Sequence, residues 1–336
     1  MKTIAIVFGG FSGERVVSQK SAQVVAQSLP PHKYRSFLVD VNRSQWFVSY
    51  DQQQLPINKD DFSFTLNGQV IHFDGVFSAI HGTPGEDGIL QGYFDLLDIP
   101  YNNCGLLASS LSFNKAACNA YLKSFGVKVA EAVHVKLGAS FDAEAIVQKV
   151  GLPCFVKPND GGSSIGVTKV RDKDGIAGAI KLAQADGVGA LIERFLPGTE
   201  VSCGCISLDG VPKALAITEI VPANEFFDFD SKYNNTKTQE ITPARLESKV
   251  YEEIMRLTER IYDLLDCRGM IRIDFMVCED GVYLIEPNTT PGLSEASILP
   301  QQATYCGYQL SDFFDLSLEE MFKARAFKHR FSQENR

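Results

Sequence analysis

The sequence predicts an α/β protein that begins with a parallel sheet and continues with antiparallel hairpins. Two observations support this fold class. Apolar strand segments at residues 3–8, 35–40 and 76–80 alternate with helical segments, which is typical of a parallel sheet. Later segments, at residues 201–218 and 270–286, read as pairs of strands joined by turns. The 336 residues provide enough chain for two or three domains and a sizeable core.

Composition narrows the class of protein and its partners. The chain is 45% hydrophobic and 22% charged, as in ordinary globular proteins, and no apolar run reaches the length of a membrane span. Its net charge of -9 argues against nucleic acid as a partner. The eight cysteines include no C-x-x-C pair, and the first residues read as a strand instead of a signal peptide. We therefore expect reduced thiols, a cytoplasmic location and no membrane association.

The first strand leads into a glycine-rich turn and a helix that we expect to end near Leu29. The turn, Gly9 to Glu14, lacks the G-x-G-x-x-G pattern of dinucleotide sites, but its glycines let the backbone approach a small ligand. Glu14 begins the helix, where it either binds a ligand or only compensates the helix dipole. His81 ends the strand at 76–80, beyond which ligands gather in parallel sheets. A structural role for this histidine is the alternative.

Between these two positions the segments are less regular. Residues 49–61 are polar and predict a loop, whereas residues 64–73 predict a hairpin around Asn67-Gly68. A helix is expected at 89–97. A second unit begins near Asn114, with a helix to residue 125, a strand at 129–135 and a helix at 142–150.

A strand at residues 153–158 precedes the second glycine-rich loop, 159–166. Lys157 lies on the same face of this strand as Phe155, and the loop can fold over a triphosphate with backbone N–H groups and hydroxyls on phosphate oxygens. The loop is not a Walker A motif, because Val167-Thr168 follows Gly166. A hairpin tip without a ligand is the alternative. Glu193 and Glu200 are candidates for contacts with a purine amino group and a ribose.

The segment 220–243 is too long for an idle connection and predicts a functional loop or lid. Within it, Lys232 and Tyr233 are the pair that we expect to face a substrate. A long helix is predicted from residue 244 to about 265, and a last amphipathic helix at 310–323.

The stretch from Gly269 to Ser297 carries the densest group of polar candidates. A three-residue turn, with Gly281 left-handed, would set Asp274 opposite Glu286 and Arg272 opposite Asn288, whereas a two-residue turn would scatter them. Two carboxylates and an amide supply the hard oxygen ligands that Mg²⁺ prefers, with phosphate oxygens completing the shell. The alternative is the polar outer face of an amphipathic hairpin.

Four motifs together resemble the D-alanine--D-alanine ligase family of the ATP-grasp superfamily over nearly the whole chain. They are GGFSGERVVS, HGTPGEDGILQGYFDLLDIPY, VKPNDGGSSIGV and RIDFMVCEDGVYLIEPNTTPGL, in the order and approximate spacing of the family. The resemblance implies an ATP-grasp fold with a Rossmann-like N-terminal domain. It also implies three domains that meet at one cleft, at residues 1–113, 114–193 and 194–336, with the last carrying the lid.

The resemblance also implies residue roles. Those expected to bind ATP are Lys115, Lys157, Ser163, Ser164, Glu193, Phe195, Leu196, Glu200 and Met276. Two Mg²⁺ ions, which Mn²⁺ can replace, are expected on Asp274, Glu286 and Asn288. Residues expected near the first D-alanine are Glu14 and His81, with Ser163 and Tyr233 in a hydrogen-bond network with Glu14. Those implied for the oxyanion are Arg272 and the Gly292 N–H, and those for the second D-alanine's carboxylate are Ser297 and Lys232.

The implied reaction is ATP-dependent formation of D-alanyl-D-alanine through an acyl phosphate, for peptidoglycan synthesis, by a homodimer. The departures from the family are Phe227, where many relatives have tyrosine, and Pro287, which lacks an N–H and could disturb its strand. Tyr233 favours the dipeptide, because ligases that make D-alanyl-D-lactate tend to have phenylalanine there. The alternatives are D-lactate or D-serine as second substrate, or a nucleotide-binding protein without ligase activity.

Overall fold

Three sheets form the framework of the protein. The structure is a computed structural model that describes residues 1–162, 165–185, 187–222 and 238–334, with side chains described as far as residue 324. The described strands form sheets of seven, four and five strands. Each sheet uses a contiguous part of the chain, as the sequence predicts, while the exact domain boundaries remain a proposal.

The first sheet is mixed instead of wholly parallel. Its strands are β1 (Lys2–Gly9), β2 (Tyr34–Val41), β3 (Trp46–Tyr50), β4 (Gln53–Asn58), β5 (Ser63–Leu66), β6 (Gln69–Ile71) and β7 (Gly75–Ser78), in the order β6-β5-β4-β3-β2-β1-β7. β1 pairs in parallel with β2 and β7, which confirms the predicted parallel pairing for these three strands, at one end of the sheet. The other four strands add antiparallel pairs at one side.

The prediction of a loop at 49–61 is wrong, because most of that segment belongs to β3 and β4. These strands are joined at Asp51 and Gln52, whose φ angles of 47° and 62° give a tight turn without glycine. Val48 and Ile57 are buried, one in each strand. Tertiary packing of these two side chains therefore holds a hairpin whose local sequence is that of a loop.

The second and third sheets are antiparallel, as predicted. The second contains β8 (Ala132–Lys136), β9 (Cys154–Pro158), β10 (Thr168–Val170) and β11 (Gly189–Arg194), in the order β10-β9-β11-β8. The third contains β12 (Thr199–Leu208), β13 (Val211–Val221), β14 (Gln239–Ile241), β15 (Met270–Cys278) and β16 (Gly281–Asn288), in the order β14-β13-β12-β15-β16.

The helices pack against these sheets. They are α1 (Arg15–Ser28), α2 (Ile89–Leu96), α3 (Leu106–Phe113), α4 (Lys115–Ser124), α5 (Ala143–Val150), α6 (Gly175–Ala183), α7 (Ser248–Leu264), α8 (Ile298–Tyr305) and α9 (Leu310–Glu334). Two begin with caps that fix their start: Asn114 accepts from Ala117 N–H, and Asp142 accepts from Glu144 and Ala145 N–H. In the described ranges, none has the length and apolar character needed to cross a bilayer.

One core joins the beginning of the chain to its end. Ile6 of β1 and Phe77 of β7 pack in the same cluster of buried side chains as Ile206 of β12, Leu299 of α8 and Phe314 of α9. The Phe77 and Phe314 rings meet edge to face, with centroids 5.8 Å apart. The first sheet therefore packs in one hydrophobic core with β12 of the third sheet and with the last two helices, α8 and α9.

The ends of the predicted lid are strands. β13 continues to Val221, and Val221 pairs with Gln239 at the start of β14. The intervening residues 223–237, which include Lys232, Tyr233 and Phe227, lie outside the described residues.

Candidate active site

A cavity of about 410 Å³ lies between the second and third sheets. All seven described residues that the sequence assigns to ATP line it: Lys115, Lys157, Glu193, Phe195, Leu196, Glu200 and Met276. A larger cavity, of about 690 Å³, lies beside residues 94–102 and 262–269 and contains none of the predicted site residues. The chemistry of the lining, and not its size, therefore marks the smaller cavity as the candidate site.

Lys157 holds a buried positive charge in this cavity. Its Nζ lies 2.5 Å from Glu193 Oε2, and the other oxygen of Glu193 accepts from Asn119 Nδ2 at 3.1 Å. Burial alone would lower the pKa of Lys157, but Glu193, Glu286 and Glu200 outweigh it and raise that pKa. The lysine is therefore charged, as an anion-binding group must be.

Lys115 links the second glycine-rich loop to the third sheet. It is the first residue of α4, directly after the Asn114 cap. Its Nζ donates to Gly161 O at 2.6 Å and lies 3.3 Å from Glu286 Oε2. The two lysines thus face the same space from different elements.

Aromatic side chains line the same cavity as the two lysines. The rings of Phe155 and Phe195 have centroids 6.0 Å apart, and Lys169 Nζ lies 4.1 Å from the centroid of Phe195. Phe155 was missed as a site residue, although its position two residues before Lys157 on one strand was a usable signal. Aromatic rings together with lysines suit a nucleotide, with its base and its phosphates.

The polar face on β15 and β16 forms in the predicted register. Asp274 pairs with Glu286, and Arg272 pairs with Asn288. The means differ from the prediction: Cys278 pairs with Gly281, so the turn has two residues, and a bulge after Asp274 restores the register. Gly281, with φ of 134°, is not in the left-handed helical region.

Pro287 does not disturb β16. It lies opposite Ile273 within the pairing that continues to Asn288. β16 is the last strand of the third sheet, a position at which a residue without a backbone N–H is tolerated.

Asp274 is the centre of a hydrogen-bond network. Arg272 donates to both of its oxygens, at 2.9 and 2.8 Å, and Asn288 Nδ2 donates to Oδ2 at 3.0 Å. Ser202 of β12 donates to Oδ1 at 2.6 Å. Ser202 was missed from sequence, although it shares the face of Glu200 two residues earlier. Asp274 is 7% exposed, so these donors replace the water that its side chain loses on burial.

The donor set on this face fits a hard divalent cation. Among the described residues, no group of three or more His, Cys, Asp and Glu side chains is arranged for a metal. Asp274 and Glu286 provide two carboxylates, and Asn288 adds an amide oxygen if its side chain turns over. Mg²⁺ usually takes one or two carboxylates together with phosphate oxygens and water, so two carboxylates beside a nucleotide cavity are sufficient.

Glu14 and His81 meet beside both glycine-rich loops. A Cβ atom on Gly162 would lie 3.3 Å from both carboxylate oxygens of Glu14, and one on Gly82 would lie 3.0 Å from Oε2. His81 is buried, which lowers the pKa of its imidazole, while the nearby Glu14 opposes that shift. The pair therefore presents a buried carboxylate beside a neutral ring.

Gly292 and Ser297 lie in contact on the loop after β16. A Cβ atom on Gly292 would lie 2.7 Å from Ser297 Oγ, so any larger residue would displace this hydroxyl. Ser297 Oγ lies 2.8 Å from Ser294 Oγ. Of the remaining candidates, Ser163, Ser164, Lys232 and Tyr233 lie outside the described residues.

Two antiparallel sheets around a nucleotide-sized cavity, joined to an N-terminal α/β sheet, define an ATP-grasp enzyme of the ligase class. Family models described as "D-ala D-ala ligase N-terminus" and "D-ala D-ala ligase C-terminus" match residues 3–104 and 121–318. The chain belongs to the D-alanine--D-alanine ligase family.

Individual relatives agree with this assignment. A D-alanine--D-alanine ligase of Parabacteroides distasonis is 47% identical over 329 residues, which is 97% of this chain and 99% of the relative. The VanG D-Ala:D-Ser ligase of Enterococcus faecalis is similar in structure, with a TM-score of 0.84, 29% identity and coverage of 95% and 99%. A D-alanine--D-alanine ligase of Bacillus anthracis complexed with ATP has a TM-score of 0.79, 26% identity and coverage of 98% and 100%.

Proposed function

We propose that this protein joins two D-alanine molecules to D-alanyl-D-alanine at the expense of ATP. One observation carries the proposal beyond nucleotide binding. Arg272 lies on the same polar face as Asp274, Glu286 and Asn288, at the cavity that Lys115 and Lys157 line. A site that only binds a nucleotide needs no guanidinium beside its carboxylates, whereas a reaction that passes through an oxyanion does.

The first step activates a carboxylate, because a carboxylate is a poor electrophile. An oxygen of the first D-alanine attacks the γ-phosphorus of ATP, the bond to ADP breaks, and an acyl phosphate forms. Lys115 and Lys157 offset charge on the phosphates as point charges. Mg²⁺, held by Asp274, Glu286 and Asn288, would neutralise charge on the phosphate oxygens. Glu14 would bind the ammonium of the first D-alanine, with His81 beside the same subsite.

The second step forms the peptide bond. The deprotonated amine of the second D-alanine attacks the acyl carbon, and inorganic phosphate leaves with the oxygen that came from the first carboxylate. Arg272 and the Gly292 N–H would stabilise the tetrahedral oxyanion, while Ser297 and Lys232 would hold the second carboxylate. The acyl phosphate must be kept from water, which gives the segment 220–243 a purpose as a lid over the site.

D-lactate and D-serine are the competing second substrates. The structural relative VanG is titled a D-Ala:D-Ser ligase, at 29% identity. The D-alanine--D-alanine ligases of Parabacteroides distasonis and Phocaeicola vulgatus are each 47% identical to this chain, which favours D-alanine. Tyr233 favours the dipeptide over the ester for the reason given by the family resemblance.

The test measures ADP release from ATP and Mg²⁺ with D-alanine, with L-alanine, and with D-alanine plus D-lactate or D-serine, and identifies each product by mass. We expect release with D-alanine and a D-alanyl-D-alanine mass even when the competing substrates are present. A depsipeptide or a D-alanyl-D-serine product would change the second substrate. ADP release that does not depend on D-alanine would refute ligation.

We further propose a cytoplasmic homodimer that supplies peptidoglycan synthesis. All eight cysteines are free thiols, and six of them are buried, which suits a reducing compartment. The dimer follows only from the family resemblance, and sedimentation of the purified protein tests it.

A further inference from the structure

The loop that carries Gly292 is fastened to the N-terminal part of the molecule by hydrogen bonds that the family resemblance does not assign. This loop, residues 289–293, follows β16 and is buried: Thr289 is 2%, Thr290 4% and Leu293 2% exposed. Its hydrogen bonds to the first 104 residues of the chain involve Thr290 and Leu293.

Glu86 faces this loop from the first substrate's side of the site. Its carboxyl group accepts from Gly82 N–H at 2.6 Å. Burial raises the pKa of this carboxyl group, and the Thr290 backbone N–H is close enough to oppose that rise. Asn103 adds a second contact, since its Nδ2 donates to Thr290 Oγ1 at 3.3 Å and to Gly85 O at 3.4 Å. The loop after β7, which contains Gly82 and Gly85, is thus tied to Thr290 at two points.

Ser21 and His81 form a second link between this loop and the N-terminal part of the molecule. Leu293 N–H donates to Ser21 Oγ at 3.2 Å, and Ser21 Oγ lies 3.2 Å from His81 Nε2. Burial lowers the pKa of the imidazole, and the nearby Thr290 carbonyl opposes that shift. We assign the ring proton to Nδ1, because Ser21 Oγ then accepts from Leu293 and donates to Nε2 without conflict.

The two bonded residues, Thr290 and Leu293, flank Gly292 in the sequence. The Gly292 N–H is the proposed oxyanion donor. A donor helps only when it is aimed at the position that the oxyanion will occupy, and a displacement of about 1 Å can cost about a hundredfold in rate. The positions on either side of Gly292 are fixed by residues of the N-terminal domain.

We propose that Glu86 is a positioning residue that holds the Thr290–Leu293 loop so that the Gly292 N–H meets the tetrahedral intermediate. The inference rests on the proposed ligase function and adds to it a link between the two substrate sites. Glu86 and His81 belong to the loop beside Glu14, where the first D-alanine binds, and they orient the loop at which the peptide bond forms.

The test compares Glu86→Met with Gln91→Met. Both replace a polar side chain that bonds to the loop after β7, since Gln91 Nε2 donates to Gly85 O at 2.6 Å and Glu86 accepts from Gly82 N–H. Gln91 is buried and Glu86 is half-buried. Only Glu86 also reaches Thr290. Two rates are measured for each variant: dipeptide formation, and scrambling of oxygen-18 from the β,γ-bridge of ATP in the presence of D-alanine, which reports the first step alone.

We expect Glu86→Met to slow dipeptide formation about 30-fold or more while scrambling stays within about threefold of the wild-type rate. Gln91→Met is expected to leave both rates within about threefold. Glu86→Gln keeps a carbonyl acceptor and is expected to recover dipeptide formation to within about fivefold of wild type. Equal loss of both rates in Glu86→Met, or the same loss in Gln91→Met, would overturn the inference.

A second pair of variants serves if Glu86→Met does not fold. Thr290→Val removes only the side-chain contact between Thr290 and Asn103, and Asn103→Ala removes that contact together with the bond to Gly85 O. Each variant is expected to slow dipeptide formation about two- to tenfold without changing scrambling. No change in either variant would contradict the proposal. A wild-type protein without D-alanine-dependent scrambling would instead refute the ligase function itself.

Discussion

At the scale of single residues, the charges of the site neutralise one another in pairs. Lys157 faces Glu193, Lys115 faces Glu286, and Arg272 faces Asp274. An unpaired charge costs several kcal/mol in such surroundings. When a nucleotide and its metal bind, the charged side chains would change partners. The lysines can then contact phosphates, and the carboxylates can contact the cation. The site is therefore held in order before its ligands arrive.

We expect Lys157→Ala to weaken ATP binding about 10- to 100-fold, because a charge-assisted contact to phosphate contributes about 1.5–3 kcal/mol. Lys173→Ala is the matched control, since Lys173 forms an exposed ion pair with Glu144. Isothermal titration with ATP and Mg²⁺ measures both. Equal affinities for the two variants would mean that Lys157 does not bind phosphate.

A pH dependence is expected from Glu86. Burial is the largest cause that raises the pKa of Glu86, and with the charge of Glu14 it brings that pKa to about 8. In the unfolded chain Glu86 loses its proton near pH 4.5, whereas in the folded protein it keeps the proton up to about pH 8. The contribution of Glu86 to the free energy of unfolding is therefore lost as the pH rises from about 4.5 to about 8.

Glu86→Gln removes this titration. The difference in melting temperature, variant minus wild type and both without ligand, should therefore increase between pH 5 and pH 8. This increase is expected whatever the difference is at pH 5. Thermal unfolding at several pH values measures the difference. A difference that is constant, or that moves the other way, would show that Glu86 is ionised throughout.

At the scale of elements, the sequence predicted the polar face of β15 and β16 but not the way in which it forms. An assumed three-residue turn set Asp274 opposite Glu286, and the pairing agrees although the turn has two residues. The residue pattern does not show where a bulge adds an unpaired residue to a strand, so the bulge could not be predicted. The β3–β4 hairpin was missed because polar residues around its turn resemble those of a loop.

Helix α4 places Lys115, and its cap should therefore affect ATP binding. Asn114→Ala is expected to destabilise the protein by about 1 kcal/mol and also to weaken ATP binding, because Lys115 is the first residue of the helix. Asp142→Ala removes the cap of α5, which carries no candidate site residue, and should cost similar stability without an effect on ATP. Urea unfolding and ATP titration measure both variants. Equal effects on ATP would contradict the placement.

At the scale of the whole molecule, the first sheet and the end of the chain share one core. Strand and helix patterns predicted most of the elements, yet they could not predict that Phe77 of β7 packs on Phe314 of α9, because such contacts leave no local signal. The shared core fixes the N-terminal loop that bears Glu86 relative to the loop that bears Gly292. The domains are thus coupled through packing as well as through the site.

Phe314→Ala tests this coupling with a natural probe. The single tryptophan, Trp46, lies in β3 of the first sheet, whereas Phe314 is fully buried in α9. We expect the substitution to cost about 3–5 kcal/mol and to move the urea transition of Trp46 fluorescence together with that of circular dichroism. Tyr305→Ala, at a side chain 56% exposed, is the control. An unmoved Trp46 transition would mean that the first sheet unfolds independently.

The central claim is that ATP activates the carboxylate of one D-alanine for attack by the amine of another. The measurement that tests it most directly uses D-alanine with oxygen-18 in its carboxylate and determines the mass of the phosphate released. The account predicts one labelled oxygen in each phosphate, because the attacked acyl phosphate gives up the oxygen that it took from the substrate. Phosphate without the label, released together with dipeptide, would contradict it.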